Sequence, residues 1–560
     1  MTAPTQRRVR ATARRRLPVG AGSPAARRSS SSAQQLAPRH HLPSPPTDVE
    51  RDSYLGSQRR WLGPATYLGY LLIVISVVFF IGDHVWAAVL IVPLALSTLS
   101  TTLALVTSVR RSRVSLSAHR QQVDTWRPGH FPSVDVFLPS AGEDLAVLEN
   151  TFRHVHQLRW QGELRVYVLD DSGRADVKAL ASTWGFSYLS RPDRGHFKKA
   201  GNLRYGYDRS QGDYIAIFDA DFVPRQDFLY ELGPYFDDPT TAIVQSPQYF
   251  DVHEEMNWLQ RAAGSTQVLF YRYVQPSRDA SAAAICVGTS AMYRRSALEE
   301  SGGFAQIGHS EDVHTGVNLM EVGYQTRYIP TVVSKGACPD SFNQFVTQQY
   351  RWCNGSMSLL FSRRFHGIDL TFMQKLCYWS GFLFYISTAL DVLTVALPPL
   401  LMAYFAAAQV SVENYVFVML ALVARQALIP FITSEGDSMV NLARIQATYS
   451  FAHLVQIWDL ARGREDGWVA TGASASTVTA RRIIRVSRVW LITTQLLMWV
   501  AVAWRTPQYG LSHYWPMIFF GLLNLYIVYP IVTASEHLPA PMRIARRVTE
   551  TGRLRLKAAS

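Results

Sequence analysis

Two stretches decide the reading of this chain: Leu164-Arg165-Val166-Tyr167-Val168-Leu169-Asp170-Asp171 and Tyr214-Ile215-Ala216-Ile217-Phe218-Asp219-Ala220-Asp221. Each is a short apolar run that stops on a pair of carboxylates. Nearly continuous apolar runs of this length are the pattern of strands buried on both faces. A third run, Val134-Asp135-Val136-Phe137-Leu138-Pro139, precedes them. Helical stretches lie between, at Asp144–Gln157 and Lys199–Arg209. The alternation predicts a parallel α/β sheet covered on both faces. Ligands of such sheets bind outside the carboxyl ends of the strands, where both acidic pairs fall.

Working outward, the chain changes character. Of its 560 residues 48% are hydrophobic, yet the mean hydropathy is only +0.01, as expected of a soluble domain joined to a membrane bundle. Six stretches approach the length and apolarity of a span: Ala65–Ile81, Val85–Ser108, Ile386–Ala406 (interrupted by Pro398-Pro399), Tyr415–Thr433, Val489–Ala503 and Trp515–Ala534. Phe372–Tyr385 and Asn441–Leu460 read as interfacial amphipathic helices. Arginines flank one side: Arg59, Arg60, Arg110, Arg111 and Arg113, then Arg444, Arg462, Arg464, Arg481, Arg482, Arg485 and Arg488. By the positive-inside rule both termini and the α/β domain are cytoplasmic, in a multi-pass plasma-membrane protein. The expected units are a disordered basic tail (1–58), two spans (59–110), the α/β domain (111–370), a membrane region (371–535) and a basic tail (536–560). The first tail, with Arg14-Arg15-Arg16 and Arg27-Arg28, suits either a solvated tail or an anionic-lipid tether. The net charge of +13 is accounted for by these flanks, and no nucleic-acid motif is present. The four cysteines form no CxxC pair and predict reduced thiols.

The polar motifs carry chemistry. Asp219-Ala220-Asp221 sets two carboxylates at one strand end. Hard cations such as Mg2+ or Mn2+ take a few carboxylates plus substrate phosphates; the same pattern alone also describes a solvated turn. Lys199 opens a helix beside Ala200-Gly201-Asn202, an arrangement suited to anions or simply a helix start. Ser310-Glu311-Asp312 precedes a helix at His314–Val322 and reads as a cap or as a general base. Arg351, in Gln348-Gln349-Tyr350-Arg351-Trp352, offers a planar fork for a pyrophosphate. Trp352 suits either a sugar ring or a membrane-interface anchor.

In this order, LDDS, KAGN, DAD, SED and QQYRW, the motifs resemble the processive family-2 glycosyltransferases, the cellulose synthase and hyaluronan synthase group. The resemblance covers Ser133 to Trp352 and leans towards the cellulose-synthase-like branch. It implies a GT-A (Rossmann-like) cytosolic domain packed on a transmembrane bundle of about six spans. It implies an inverting polymerase that takes a nucleotide sugar, UDP-glucose first, and passes a growing β-linked polysaccharide through the membrane lipids. Mixed-linkage glucan, mannan or amino-sugar polymers, or a single transfer to a glycolipid, remain alternatives, and an inactive membrane scaffold is a further one. By the resemblance, Ser140 and Glu143 hold the nucleotide, Asp170 the uridine part with Asp171 beside it, and Lys199 the phosphates. Asp219 and Asp221 hold Mg2+ or Mn2+, and Asp312 is the base. Glu311, Gln348, Arg351 and Trp352 line the diphosphate and acceptor. Two departures stand out. Val287 replaces the sulfur of the family's acceptor motif, here Ile285-Cys286-Val287-Gly288-Thr289. The gating motif has a partial counterpart, Trp468–Gly472, in which Thr471 is expected to cover the site. The C-terminal tail is too short for a cyclic-di-GMP-binding PilZ domain, and an accessory export subunit is an open partner.

Overall fold

The computed structural model describes residues 42–55, 61–110, 112–410, 412–432, 439–464 and 478–534. Among them ten strands form two sheets. They are β1 (Val134–Ser140), β2 (Leu164–Asp170), β3 (Ser187–Leu189), β4 (Tyr214–Ile217), β5 (Phe222–Pro224), β6 (Thr241–Gln245), β7 (Tyr249–Phe250), β8 (Ala291–Arg294), β9 (Gln325–Tyr328) and β10 (Ser334–Gly336). The main sheet has the order β3-β2-β1-β4-β8-β6-β9, and β5-β10-β7 form a small second sheet.

The three expected strands are β1, β2 and β4, paired in parallel. The all-parallel expectation needs correction, because β8 enters antiparallel between β4 and β6. Side chains alternate as the pleat requires. Val134, Val136 and Leu138 pack with Leu148, Phe152 and Phe228 on one face. Phe137, Ile215 and Ile217 pack with Leu203, Leu298 and Leu319 on the other. This two-sided burial is why the strands read as apolar runs. The result is a mixed α/β domain with helices on both faces of the main sheet.

Among the described residues, five helical stretches are long and apolar enough to cross a membrane: Leu62–Asp83, Val85–Ser108, Phe372–Phe405, Val478–Tyr509 and Leu511–Thr533. The fourth expected span falls in the helix Val412–Ile432, whose apolar part, Tyr415–Leu428, is shorter. Phe372–Tyr385 is not a helix of its own. A capping box at Thr371 starts one helix, Phe372–Thr394, which includes that segment and runs into the expected span. Its Cys377, Tyr378 and Phe382 are buried, the two aromatics against Val317 and Met357, while Phe372, Trp379 and Phe384 are exposed. Asn441–Leu460 lies in the helix Met439–Ala461. That helix buries polar residues (Arg444, Thr448, Gln456, Asp459) as well as apolar Ile445 and Phe451, and leaves Trp458 exposed.

The expected disorder of 1–58 does not hold for residues 42–55. A short helix, Asp48–Asp52, has a capping box at Thr47. Buried Lys335 on β10 contacts Glu50 and Asp251 carboxylates at 2.9 Å each. The Ser44 amide donates to Asp251 at 3.0 Å, and Arg225 reaches Asp48 at 2.9 Å. Polar pairing to the small sheet does here what a hydrophobic count does not anticipate.

Candidate active site

One cavity of about 180 Å3 gathers most of the singled-out residues. Ser140 ends β1, Asp171 follows β2, and Asp219 and Asp221 lie between β4 and β5. The first turns of two helices, Lys198–Tyr207 and Glu311–Glu321, bring Lys199, Glu311 and Asp312. The helix Phe342–Leu360 brings Gln348, Arg351 and Trp352. All of these and Glu143 line the cavity.

Lys199 is the electrostatic centre. Its Nζ donates to Asp219 Oδ1 at 2.5 Å and to the Gly288 carbonyl at 2.9 Å, and lies 3.7 Å from Glu311. Burial opposes its charge, but Asp219 and Glu311 outweigh burial and raise its pKa. The Asp219 amide donates to buried Thr289 Oγ1 at 2.9 Å, which fixes the strand end. Burial, with Asp219 and Glu143 nearby, pushes Asp221 up to about 7. Burial and the adjacent Glu311 push Asp312 up to about 7, with Lys199 opposing. Glu143, which accepts the Ala141 amide at 2.7 Å, is raised by burial. Arg351 is lowered by burial although Asp219 and Glu311 favour its charge. Carboxylates held this far from their ordinary range beside a lysine are the signature of a functional cavity.

The two carboxylates after β2 part company. Asp170 is fully buried and its oxygens accept from the Ser172 and Arg174 amides at 2.9 and 2.7 Å and from Tyr188 Oη at 2.8 Å. It ties its own turn and is not among the cavity-lining residues. Asp171 lines the cavity but is held by buried Arg191 in a two-pronged pair at 2.6 and 2.9 Å. Ser140 Oγ is buried with no protein partner, so it is free for a ligand. Thr471 lies outside the described residues.

Phe197, Gln248, Phe250 and Ala337 line the cavity too, and sequence reasoning missed them. The signal available was the Pro-stopped end of β6, Gln245-Ser246-Pro247-Gln248, beside other polar strand ends. Phe197, Lys198, Ser290 and Ser310 all take positive φ, between 49° and 55°, without being glycine. Such backbone strain clusters where a site over-determines the chain.

Among the described residues no three His, Cys, Asp or Glu side chains form a preformed metal cage. The donor set nevertheless fits a hard cation completed by phosphate oxygens: Asp221 sits in surplus negative charge, and Mg2+ commonly binds through one or two carboxylates.

A profile described as "Glycosyl transferase family group 2" matches residues 214–428. The matched stretch runs from β4 through the helix that carries Arg351 and into the membrane-length helices. Cellulose synthase 1 of Komagataeibacter xylinus is 34% identical over 260 residues, 45% of this chain and 17% of that protein. The UDP-forming cellulose synthase catalytic subunit of Pseudomonas fluorescens is 35% identical over 263 residues, 46% of this chain and 35% of that protein. The chain thus spans about a third of the latter's length or less. Among solved structures, the mannosyltransferase PcManGT of Pyrobaculum calidifontis, in complex with GDP-Man and Mn2+, aligns with a TM-score of 0.46 at 17% identity, covering 66% of this chain and 98% of its own. The chain thus contains a region similar to family 2 glycosyltransferases, and to cellulose synthases among them, and it has several candidate membrane spans.

Proposed function

We propose that the chain is an inverting, processive transferase that builds a β-linked polysaccharide from a nucleotide sugar, UDP-glucose first, and passes it across the membrane. The observation that carries this reading is the single cavity in which Asp219, Asp221 and Asp312 meet Lys199, Arg351 and Trp352. Ser140, Glu143 and Asp171 take the nucleotide end of the donor, and Lys199 and Arg351 its diphosphate. Asp219 and Asp221 would hold Mg2+ or Mn2+, which when bound offsets charge on the diphosphate. The Asp312 carboxylate takes the proton of an acceptor hydroxyl. The acceptor oxygen bonds to the anomeric carbon as the bond from that carbon to the diphosphate breaks, and the nucleoside diphosphate leaves with the electron pair. Gln348, Glu311 and Trp352 orient the acceptor. By arginine placement the domain at 111–370 and both termini are cytoplasmic.

The test is product formation by the protein in lipid nanodiscs with Mg2+ or Mn2+, offered radiolabelled UDP-glucose, UDP-GlcNAc and GDP-mannose separately. A high-mass product from UDP-glucose that an endo-β-1,4-glucanase cuts is the expected result. A short, lipid-extractable product would replace the polymerase by a glycolipid transferase.

A further inference from the structure

The segment Gln275-Pro276-Ser277-Arg278-Asp279 follows a π-helical turn, Phe270–Val274, and is a helix of its own. By composition it reads as surface, yet every one of its residues is buried. π-Turns inside helices recur at functional places. Each polar side chain engages a different part of the molecule. Ser277 Oγ donates to the Thr107 carbonyl, at the end of the helix Ile91–Ser108, at 2.7 Å. Arg278 Nη2 donates to the Cys377 carbonyl, early in the helix Phe372–Thr394, at 2.9 Å. Asp279 Oδ1 accepts the Tyr328 amide of β9 at 2.9 Å.

Gln275 turns the other way. Its Oε1 accepts the Ile285 amide at 3.1 Å and its Nε2 donates to the Ile285 carbonyl at 2.7 Å. Two residues on, the Val287 amide donates to Gln245 Oε1, at the end of β6, at 2.7 Å. Both glutamines are 0% exposed, and neither lines the cavity. The backbone they grip continues into Gly288 and Thr289. The Gly288 carbonyl receives Lys199, Thr289 Oγ1 receives the Asp219 amide, and a Cβ at Gly288 would lie 2.9 Å from Asp312 Cβ. One loop therefore touches the lysine, the first acidic strand-end residue and the candidate base.

We propose that Gln275 and Gln245 are positioning residues that set this loop, and with it Lys199, Asp219 and Asp312, and that the pentapeptide Gln275–Asp279 ties the loop to the ends of two membrane-length helices. Buried amides satisfied by backbone partners are costly to replace, because each loss leaves an orphaned group. Neither glutamine lines the cavity, so removal of either acts through the groups the loop sets, Lys199 and Asp219 on the donor side and Asp312 at the chemical step. The inference rests on the transferase reading of the same cavity.

The test uses the full chain in nanodiscs, comparing Gln275→Met, Gln245→Met and Ser277→Ala with the unsubstituted protein. Methionine keeps the length of glutamine without its amide. The glutamine variants are expected to lose about 10- to 100-fold in kcat, with donor KM and nucleoside-diphosphate Kd rising as Lys199 and Asp219 shift, at temperatures well below their unfolding. Ser277→Ala is expected to lose less in the same direction. A variant that lowers the unfolding temperature but leaves both kcat and donor KM unchanged overturns the proposal. If one glutamine variant does not fold, the other and Ser277→Ala carry the same readout. An unsubstituted protein that transfers from no donor would overturn the transferase reading instead, a result distinct from an active protein with unaffected variants.

Discussion

Gly355 is where the helix carrying Arg351 and Trp352 meets the turn that carries Asp312, so Gly355→Ala is a direct probe of the site. A Cβ at 355 would stand 2.5 Å from Ser310 Cβ and closer still to its Oγ. Carbon atoms rest about 3.5–4.0 Å apart, so the overlap is of order 1 Å. Rotating the Ser310 hydroxyl does not relieve it, because Cβ itself is in the way. Nor does the backbone yield readily, since Ser310 already holds φ at 50°. What remains is to move the helix away from the turn. Overpacking of this kind costs about 1–3 kcal/mol of stability, and a misplacement of about 1 Å can cost about 100-fold in rate. Initial rates of sugar transfer, measured beside nucleoside-diphosphate binding and thermal unfolding, read both effects. Ser310→Gly in the same chain removes the obstructing Cβ and suits the positive φ, so the double variant should recover most of the lost rate. A single variant within about twofold of the unsubstituted rate, or a double variant no better than the single, would refute the reasoning.

Asp312→Asn should abolish transfer while sparing nucleotide binding, and the unsubstituted kcat should rise with pH through about 7, where Asp312 ionises, because the base works as its carboxylate. The stability sign is the reverse: a carboxyl whose folded pKa is raised loses stability progressively from its unfolded pKa near 4 up to about 7. Asp312→Asn should therefore raise the unfolding temperature at pH 8 but not at pH 3, which differential scanning calorimetry can check. Chelation with EDTA should stop transfer, and added Mg2+ or Mn2+ should restore it; full activity after exhaustive chelation would count against the role of Asp219 and Asp221. Lys335→Met leaves Glu50 and Asp251 facing each other without their shared cation, and breaking a buried pair this way costs about 3–5 kcal/mol, readable as early proteolysis within residues 42–55.

The strands were legible because burial on both faces writes itself into sequence as an apolar run, as in β1, β2 and β4. β8 was not, because Ala291-Met292-Tyr293-Arg294 has neither the length nor the pattern to announce that it runs antiparallel. Site residues at strand ends, such as Asp219 and Asp221, could be placed from their position alone. Asp170 and Asp171 could not be told apart, since which one turns inward depends on Tyr188 and Arg191, distant partners that no local rule supplies. The N-terminal strap failed for a related reason: Ser44, Asp48 and Glu50 are ordered by single polar contacts to β5, β7 and β10 and the residues flanking them. The buried Gln275–Asp279 run shows the same limit from the other side, a hydrophilic sequence whose burial only the tertiary partners explain.

The charge of the cavity bears on how a donor enters it. Glu143, Asp219, Asp221, Glu311 and Asp312 face Lys198, Lys199 and Arg351, while Asp171 is already neutralised by Arg191. Burial first, and the acidic neighbours after it, push Asp221 and Asp312 up to about 7. A diphosphate arriving alone would add anionic charge to the same space, and Lys199 is already committed to Asp219 and the Gly288 carbonyl. On the proposed reading, entry of the donor with a divalent cation would remove that conflict, because Asp219 and Asp221 would hold the cation and its charge would offset that of the phosphates. It would also release part of the Lys199 interaction for the phosphates. On this argument donor affinity should depend on metal concentration more steeply than acceptor affinity does, and Asp221→Asn should weaken that dependence while leaving the acceptor side unchanged.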